Sequence, residues 1–141
     1  MDFHILGTAD EQVRRVYACR ITEKARERGH RVFVRVTDDS EAGELDTLLW
    51  TFRDRSFLPH AIDGHGAPEE PVMVGTGDVP LGQAPDVLVN LAPGMPAQPA
   101  RYTRIVEIGD NQAPVLQAAR QRFRAYRDQG MTPEHRPVES A

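Results

Sequence analysis

The sequence predicts an α/β fold: a mostly parallel sheet in a single domain, with helices on both of its faces. Three observations lead there. Strand, helix and strand follow one another between Phe3 and Val36, as in a parallel crossover unit. Asp86-Val87-Leu88-Val89-Asn90-Leu91 is a near-continuous apolar run, the pattern of a strand covered on both sides. Later short apolar strands alternate with helical periodicity up to Gly130, which is the signature of layered α/β architecture rather than of a bundle or a sandwich.

Phe3-His4-Ile5-Leu6, closed by Gly7, reads as the first strand. Thr8 or Asp10 caps a helix that runs to Arg28 and stops at Gly29. Its apolar stripe is Val13, Val16, Tyr17, Ile21 and Ala25, with Arg14, Arg15, Glu23, Glu27 and Arg28 off it. Arg31 to Val36 is the second strand. Asp38, Asp39 or Ser40 caps a second helix through Trp50, with Leu45, Leu48 and Leu49 facing inward. The stretch 51–66 reads as irregular and 67–71 as loop. Val72-Met73-Val74 is the third strand, 86–91 the fourth, and Arg104 to Ile108 the fifth, after a loop carrying Pro93, Pro96 and Pro99. The last helix starts near Pro114 and runs to Gln129. The domain is thus expected to end at 130, leaving 131–141, with Pro133 and Pro137, as a flexible tail.

The 141 residues suit one domain with one core. A lone cysteine, Cys19, excludes a disulfide framework and any multi-cysteine zinc site. No apolar run approaches the roughly 20 residues of a membrane span, and the N-terminus lacks the basic start of a secretory signal. A cytoplasmic protein without membrane attachment is expected. The net charge of −4 hides an asymmetry: six arginines (101, 104, 120, 122, 124, 127) lie between Arg101 and Arg127 with only Glu107 and Asp110 among them. A basic patch on an acidic chain selects a local anionic partner better than bulk polyanion.

Candidate chemistry is sparse. The first turn, Leu6-Gly7-Thr8-Ala9-Asp10-Glu11, has one glycine and two acids where a dinucleotide fingerprint needs glycines, and no phosphate-binding loop motif occurs elsewhere. Cys19 sits inside a helix, far from the terminus that would activate a thiol. His60 and His65 around Asp63 match no metal-ligand spacing, and His4 and His30 read as structural or exposed. No residues assemble as nucleophile, base and oxyanion hole, so neither a catalytic site, a metal nor a cofactor is expected.

Two segments stand out instead. In Leu45 to His60 the only Trp and two Phe lie at a helix end and in the loop beyond it. Trp50, Phe52 and Phe57 either fold back over the sheet or stand out as interface anchors. In the last helix Leu116, Ala119, Phe123 and Tyr126 form the core stripe, and Arg120, Arg124 and Arg127 line one edge of it at i, i+4, i+7. Like charges at that spacing repel by a few tenths of a kcal/mol. Either they are a solvated face, or they serve a carboxylate-bearing apolar peptide, which needs charge pairing beside an apolar slot.

Taken together, the two segments resemble the chi subunit of bacterial DNA polymerase III holoenzyme. Leu45-Asp46-x-x-Leu49-Trp50 followed by Ser56-Phe57-Leu58-Pro59-His60 carries the more specific part, and Arg120-x-Arg122-Phe123-Arg124-Ala125-Tyr126-Arg127 the weaker part. The likeness extends loosely over 1–130 and departs freely over 63–83. It implies a Rossmann-like fold and a non-catalytic subunit of the polymerase holoenzyme. Such an adaptor joins the clamp-loader complex through the psi subunit and binds the acidic C-terminal tail of single-stranded DNA-binding protein, touching DNA only indirectly. Carried over by position, Arg120, Phe123 and Arg124, with Arg127 beyond, form the tail pocket. Phe123 stands where a tyrosine is usual and Arg124 where a lysine is. Phe57 falls on the psi-contacting aromatic, with Phe52 and Leu58 beside it. Two other readings compete: a small nucleotide-binding enzyme on the same fold, and direct single-stranded DNA binding through the 101–127 patch, for which the nearby stacking rings are Tyr102, Phe123 and Tyr126.

Overall fold

The computed structural model describes residues 1–51, 61–62, 72–77 and 86–138, with Trp50, Ala61 and Ile62 as backbone alone. Among the described residues seven strands and three α-helices follow in the order β1 (Asp2–Leu6), α1 (Glu11–Glu27), β2 (Val32–Arg35), α2 (Asp39–Thr51), β3 (Ala61–Ile62), β4 (Val72–Gly75), β5 (Val87–Asn90), β6 (Arg104–Gly109), α3 (Ala113–Asp128) and β7 (Glu134–Val138). The strands form one sheet in the order β3-β4-β2-β5-β6-β1-β7. Every described pairing is parallel. This is the α/β, Rossmann-like architecture the sequence predicts.

The direction of each crossover decides where its helix lies. From β1 the chain passes through α1 to β2, three places along the sheet; from β6 it passes through α3 to β7, the opposite way. Parallel crossovers are right-handed almost without exception, so reversing the direction moves the connecting helix to the other face. The core divides accordingly. Ala18 and Cys19 of α1 and Ala42, Leu45 and Leu49 of α2 pack on Leu6, Val32, Val34, Val74, Val87, Val89, Val106 and Ile108. On the other face Ala119 and Tyr126 of α3 pack on Phe3, Phe33, Met73, Leu88 and Ile105. Alternate strand residues point to opposite faces: Val32 and Val34 feed the first layer, Phe33 the second.

Local signals set the helix boundaries. Asp10 accepts the Gln12 N–H at 2.8 Å and Asp38 accepts the Glu41 N–H at 2.9 Å, capping α1 and α2. Gly29 and Gly130 follow α1 and α3 with φ +83°, a backbone conformation that a Cβ would strain.

The structure corrects four expectations. The short strand β3 falls in a stretch read as irregular. The last segment is not a loose tail through Val138: β7 pairs along its whole length with β1, from Asp2↔Glu134 to Leu6↔Val138. It is held because Gly130 turns the chain back, Pro133 is buried, Val138 packs on the first core layer and the Arg136 Nε donates to Asp2 Oδ1 at 2.9 Å. In α1, Arg14 is buried rather than solvated, and Ala18, Cys19 and Thr22 are more deeply buried than Val13 and Val16. The reason is a partner waiting beyond β6, Asp110, whose Oδ2 lies 3.3 Å from Arg14 Nε. Finally, the six-arginine patch is not one surface. Arg122 is buried, and Arg104 is paired with Asp2 at 2.6 Å.

Candidate functional site

The second core layer opens to solvent beside α3. A notch of about 460 Å³ is lined by Phe3 and Ile5 of β1, Leu116, Ala119, Arg120, Phe123 and Arg124 of α3, and His135 of β7. Its floor is aromatic. The Phe3 and Phe123 rings lie 5.2 Å apart at 60°, and the Tyr126 ring meets Phe3 edge-on at 5.9 Å. Phe3 is buried, while Phe123 and Ile5 remain half-buried and face the opening.

Arg120 and Arg124, one turn apart on α3, are exposed at the rim. Among the described residues neither has an ion-pair partner, nor has Arg127, which is exposed a turn further along and outside the lining. An apolar floor beside guanidinium groups without internal carboxylates can accept an apolar side chain and an anionic group from the same ligand.

Arg122, two residues from Arg120, has the opposite role. Its Nε donates to Glu107 Oε1 at 2.9 Å and its Nη1 to the Pro93 carbonyl at 2.8 Å. Glu107, fully buried, also accepts from the Tyr126 hydroxyl at 2.6 Å and from Asn90 Nδ2 at 2.9 Å. Burial holds the Glu107 carboxyl above the usual carboxylate range, a rise that Arg122, Tyr126 and Asn90 offset only in part. Burial beside this carboxylate also raises the Tyr126 hydroxyl well above the usual phenol range. The network ties α3 to β5 and β6, so it fixes how α3 presents Arg120, Phe123 and Arg124.

Of the residues expected to matter, Arg120, Phe123 and Arg124 are thus brought together, and Arg127 continues their row. Phe52, Phe57 and Leu58 lie outside the described residues, as do His60, Asp63 and His65. Sequence reading missed Ile5 and His135 as walls of the notch. Nothing local signals them, because β1 and β7 become neighbours only through the sheet.

Two other candidates from the sequence fall among the described residues. The first turn is closed to phosphate by Asp10, whose carboxylate already takes an α1 N-terminal N–H. Burial pushes the Cys19 thiol up to about 12, which leaves it protonated and inert. Among the described residues no group of three or more His, Cys, Asp or Glu could hold a metal ion, and no helix is long and apolar enough to cross a membrane.

Comparison with known proteins decides the family. The family described as DNA polymerase III chi subunit, HolC, matches residues 1–134. This chain belongs to the DNA polymerase III chi subunit family. It is similar to the DNA polymerase III subunit chi of Pseudomonas aeruginosa, with 38% identity over 130 residues, covering 92% of this chain and 90% of that protein. It is also similar to the DNA polymerase III subunit chi of Escherichia coli K12, with 28% identity over 113 residues, covering 79% and 77%. The notch of this chi-family chain is built on α3, β1 and β7; α3 and β1 lie within the matched region, whereas β7 has only Glu134 inside it and His135 lies beyond.

Proposed function

We propose that this chain is a non-catalytic adaptor of DNA polymerase III that links the clamp-loader complex, through psi, to the acidic C-terminal tail of single-stranded DNA-binding protein. It works beside DNA in the cytoplasm without binding DNA itself. The observation that carries the tail half of this reading is the α3 notch, where apolar rings lie beside two guanidinium groups that no described carboxylate neutralises. The tail's last side chain fills the notch over Phe3 and Phe123. Its terminal carboxylate and acidic side chains pair with Arg120 and Arg124, and Arg127 extends the positive field along the same edge. Phe57, with Phe52 and Leu58, is the psi-facing surface, a reading supported by family membership and the Ser56-to-His60 motif.

The energetics suit a weak, reusable contact. Apolar burial contributes about 25 cal/mol per Å² and each charge-assisted hydrogen bond roughly 1.5–3 kcal/mol. Ordering a disordered tail offsets much of this, so the affinity is on the order of micromolar. Several tails on one oligomeric partner then raise the avidity.

The test is an anisotropy titration of the full chain with a labelled acidic peptide that ends in an aromatic residue and a free carboxylate. Arg120→Ala and Arg124→Ala each weaken binding about tenfold, or about 1.4 kcal/mol, without lowering the melting temperature. Equal affinity in both variants would remove these residues from the site.

A further inference from the structure

The notch is bounded on one side by an edge strand, and that strand has an uncommon backbone inventory. β7 pairs with β1 alone among the described residues. Its register is fixed at both ends: the Glu134 N–H donates to the Met1 carbonyl at 3.0 Å, and the Gly7 N–H donates to the Val138 carbonyl at 3.0 Å. In a parallel ladder alternate residues of a strand direct both backbone groups to the same neighbour. Glu134, Arg136 and Val138 therefore turn theirs to β1, and His135 and Pro137 turn theirs outward. Pro137 has no N–H to offer. The outer edge of β7 thus presents a single donor, the His135 N–H, with the His135 and Pro137 carbonyls beside it.

That placement matters because His135 also lines the notch. Its side chain points to the α3 face of the sheet, on the same side as Phe3, its Cα partner in β1. The one backbone donor left on this edge stands beside the apolar floor and the Arg120 and Arg124 rim. The proline restricts further pairing, as edge strands commonly do to resist indiscriminate association.

We infer that the acidic tail is captured as an added strand: it lies extended along the outer edge of β7, exchanges main-chain hydrogen bonds with His135, and sends alternate side chains over the notch. This rests on the tail reading above and adds how the tail's backbone is held. Strand addition supplies sequence-independent backbone pairing, while the notch and the arginines select the apolar end and the negative charge. The C-terminal segment of this chain then becomes part of the receptor, so that residues 134–138 do more than close the sheet.

Amide exchange in the full chain separates this inference from the reading beneath it. A uniformly ¹⁵N-labelled sample is followed free and saturated with the acidic, aromatic-ended peptide. In the free chain the His135 amide exchanges rapidly while Glu134 and Arg136, bonded to β1, are protected. Saturation slows His135 exchange at least tenfold. A saturated complex that shifts Phe123 and Arg124 but leaves His135 exchange unchanged overturns strand addition and leaves the arginine pocket standing. No binding of the peptide at all overturns both. An independent check uses the peptide's side of the ladder. Single N-methylation along the peptide costs tenfold or more in affinity at a position paired with His135 and little at its immediate neighbours. Affinity indifferent to methylation at every position also overturns the strand model.

Discussion

Replacing Arg122 with alanine unfolds more of this protein than replacing Arg120, although the two arginines are two residues apart on one helix. The Arg122 side chain is only 5% exposed and its partner Glu107 is 0% exposed, with Nε to Oε1 at 2.9 Å. Removing one member of a buried pair leaves the other as an uncompensated charge, at a cost of about 3–5 kcal/mol. Glu107 would keep Tyr126 and Asn90 as donors, which favours the lower part of that range, and the Pro93 carbonyl loses its donor as well. For a chain of this length 1 kcal/mol corresponds to roughly 3–4 °C, so the melting temperature falls by about 10–15 °C. Arg120→Ala, on an exposed rim, stays within about 0.5 kcal/mol of the parent. Thermal and urea melts of the two variants, read by circular dichroism, make the comparison. A triple variant, Arg122→Met with Glu107→Leu and Tyr126→Phe, should recover part of the loss, since apolar replacement of a buried ion pair is often neutral or better and Asn90 Nδ2 keeps the Gly94 carbonyl as an acceptor. An Arg122→Ala variant melting within 2 °C of the parent would refute the account of this network.

Three further outcomes follow from other parts of the molecule. Because Arg120 and Arg124 are exposed, raising salt from 50 to 500 mM (about a threefold shorter screening length) weakens peptide binding several-fold, and Arg120→Ala flattens that dependence in the same titration. The Asp2 carboxyl is pushed upward by burial, but hydrogen bonds from Arg136 and Arg104 outweigh this and hold it below the usual carboxylate range. Its contribution is therefore complete above about pH 4 and lost as pH falls through the depressed value; Asp2→Asn, about 1 kcal/mol less stable at pH 7, removes that part of the acid sensitivity in melts between pH 6 and 2.5. Cys19, fully buried with its thiol pushed up to about 12, reacts with a thiol reagent at pH 8 only through opening of the fold, so its labelling rate rises with urea in step with unfolding. Rapid labelling of the folded chain would contradict its burial.

By itself the sequence determined the layers and most of the site's chemistry. A short β-branched apolar run such as Val87-Leu88-Val89 suits a strand covered on both faces, and the caps and stop glycines are local, so β1, β2, β5, β6 and the three helices were legible within a few residues. The arginine row and Phe123 were legible too, because helical spacing alone puts them along one edge of α3. Tertiary structure decided what those residues meet. Arg120 and Arg122 look alike in a helical reading, yet one faces solvent and the other Glu107, a residue fifteen positions earlier that β6 carries into the interior. Arg14 finds Asp110 in the same way. Glu134 to Val138 carry no alternating apolar pattern, since four of the five are exposed, and become a strand only because β1 offers an unpaired edge. Periodicity records which side of an element is apolar; which charges are neutralised, and which edge is left to receive another chain, depends on contacts between different elements, from 15 positions apart for Arg122 and Glu107 to 134 for Arg136 and Asp2.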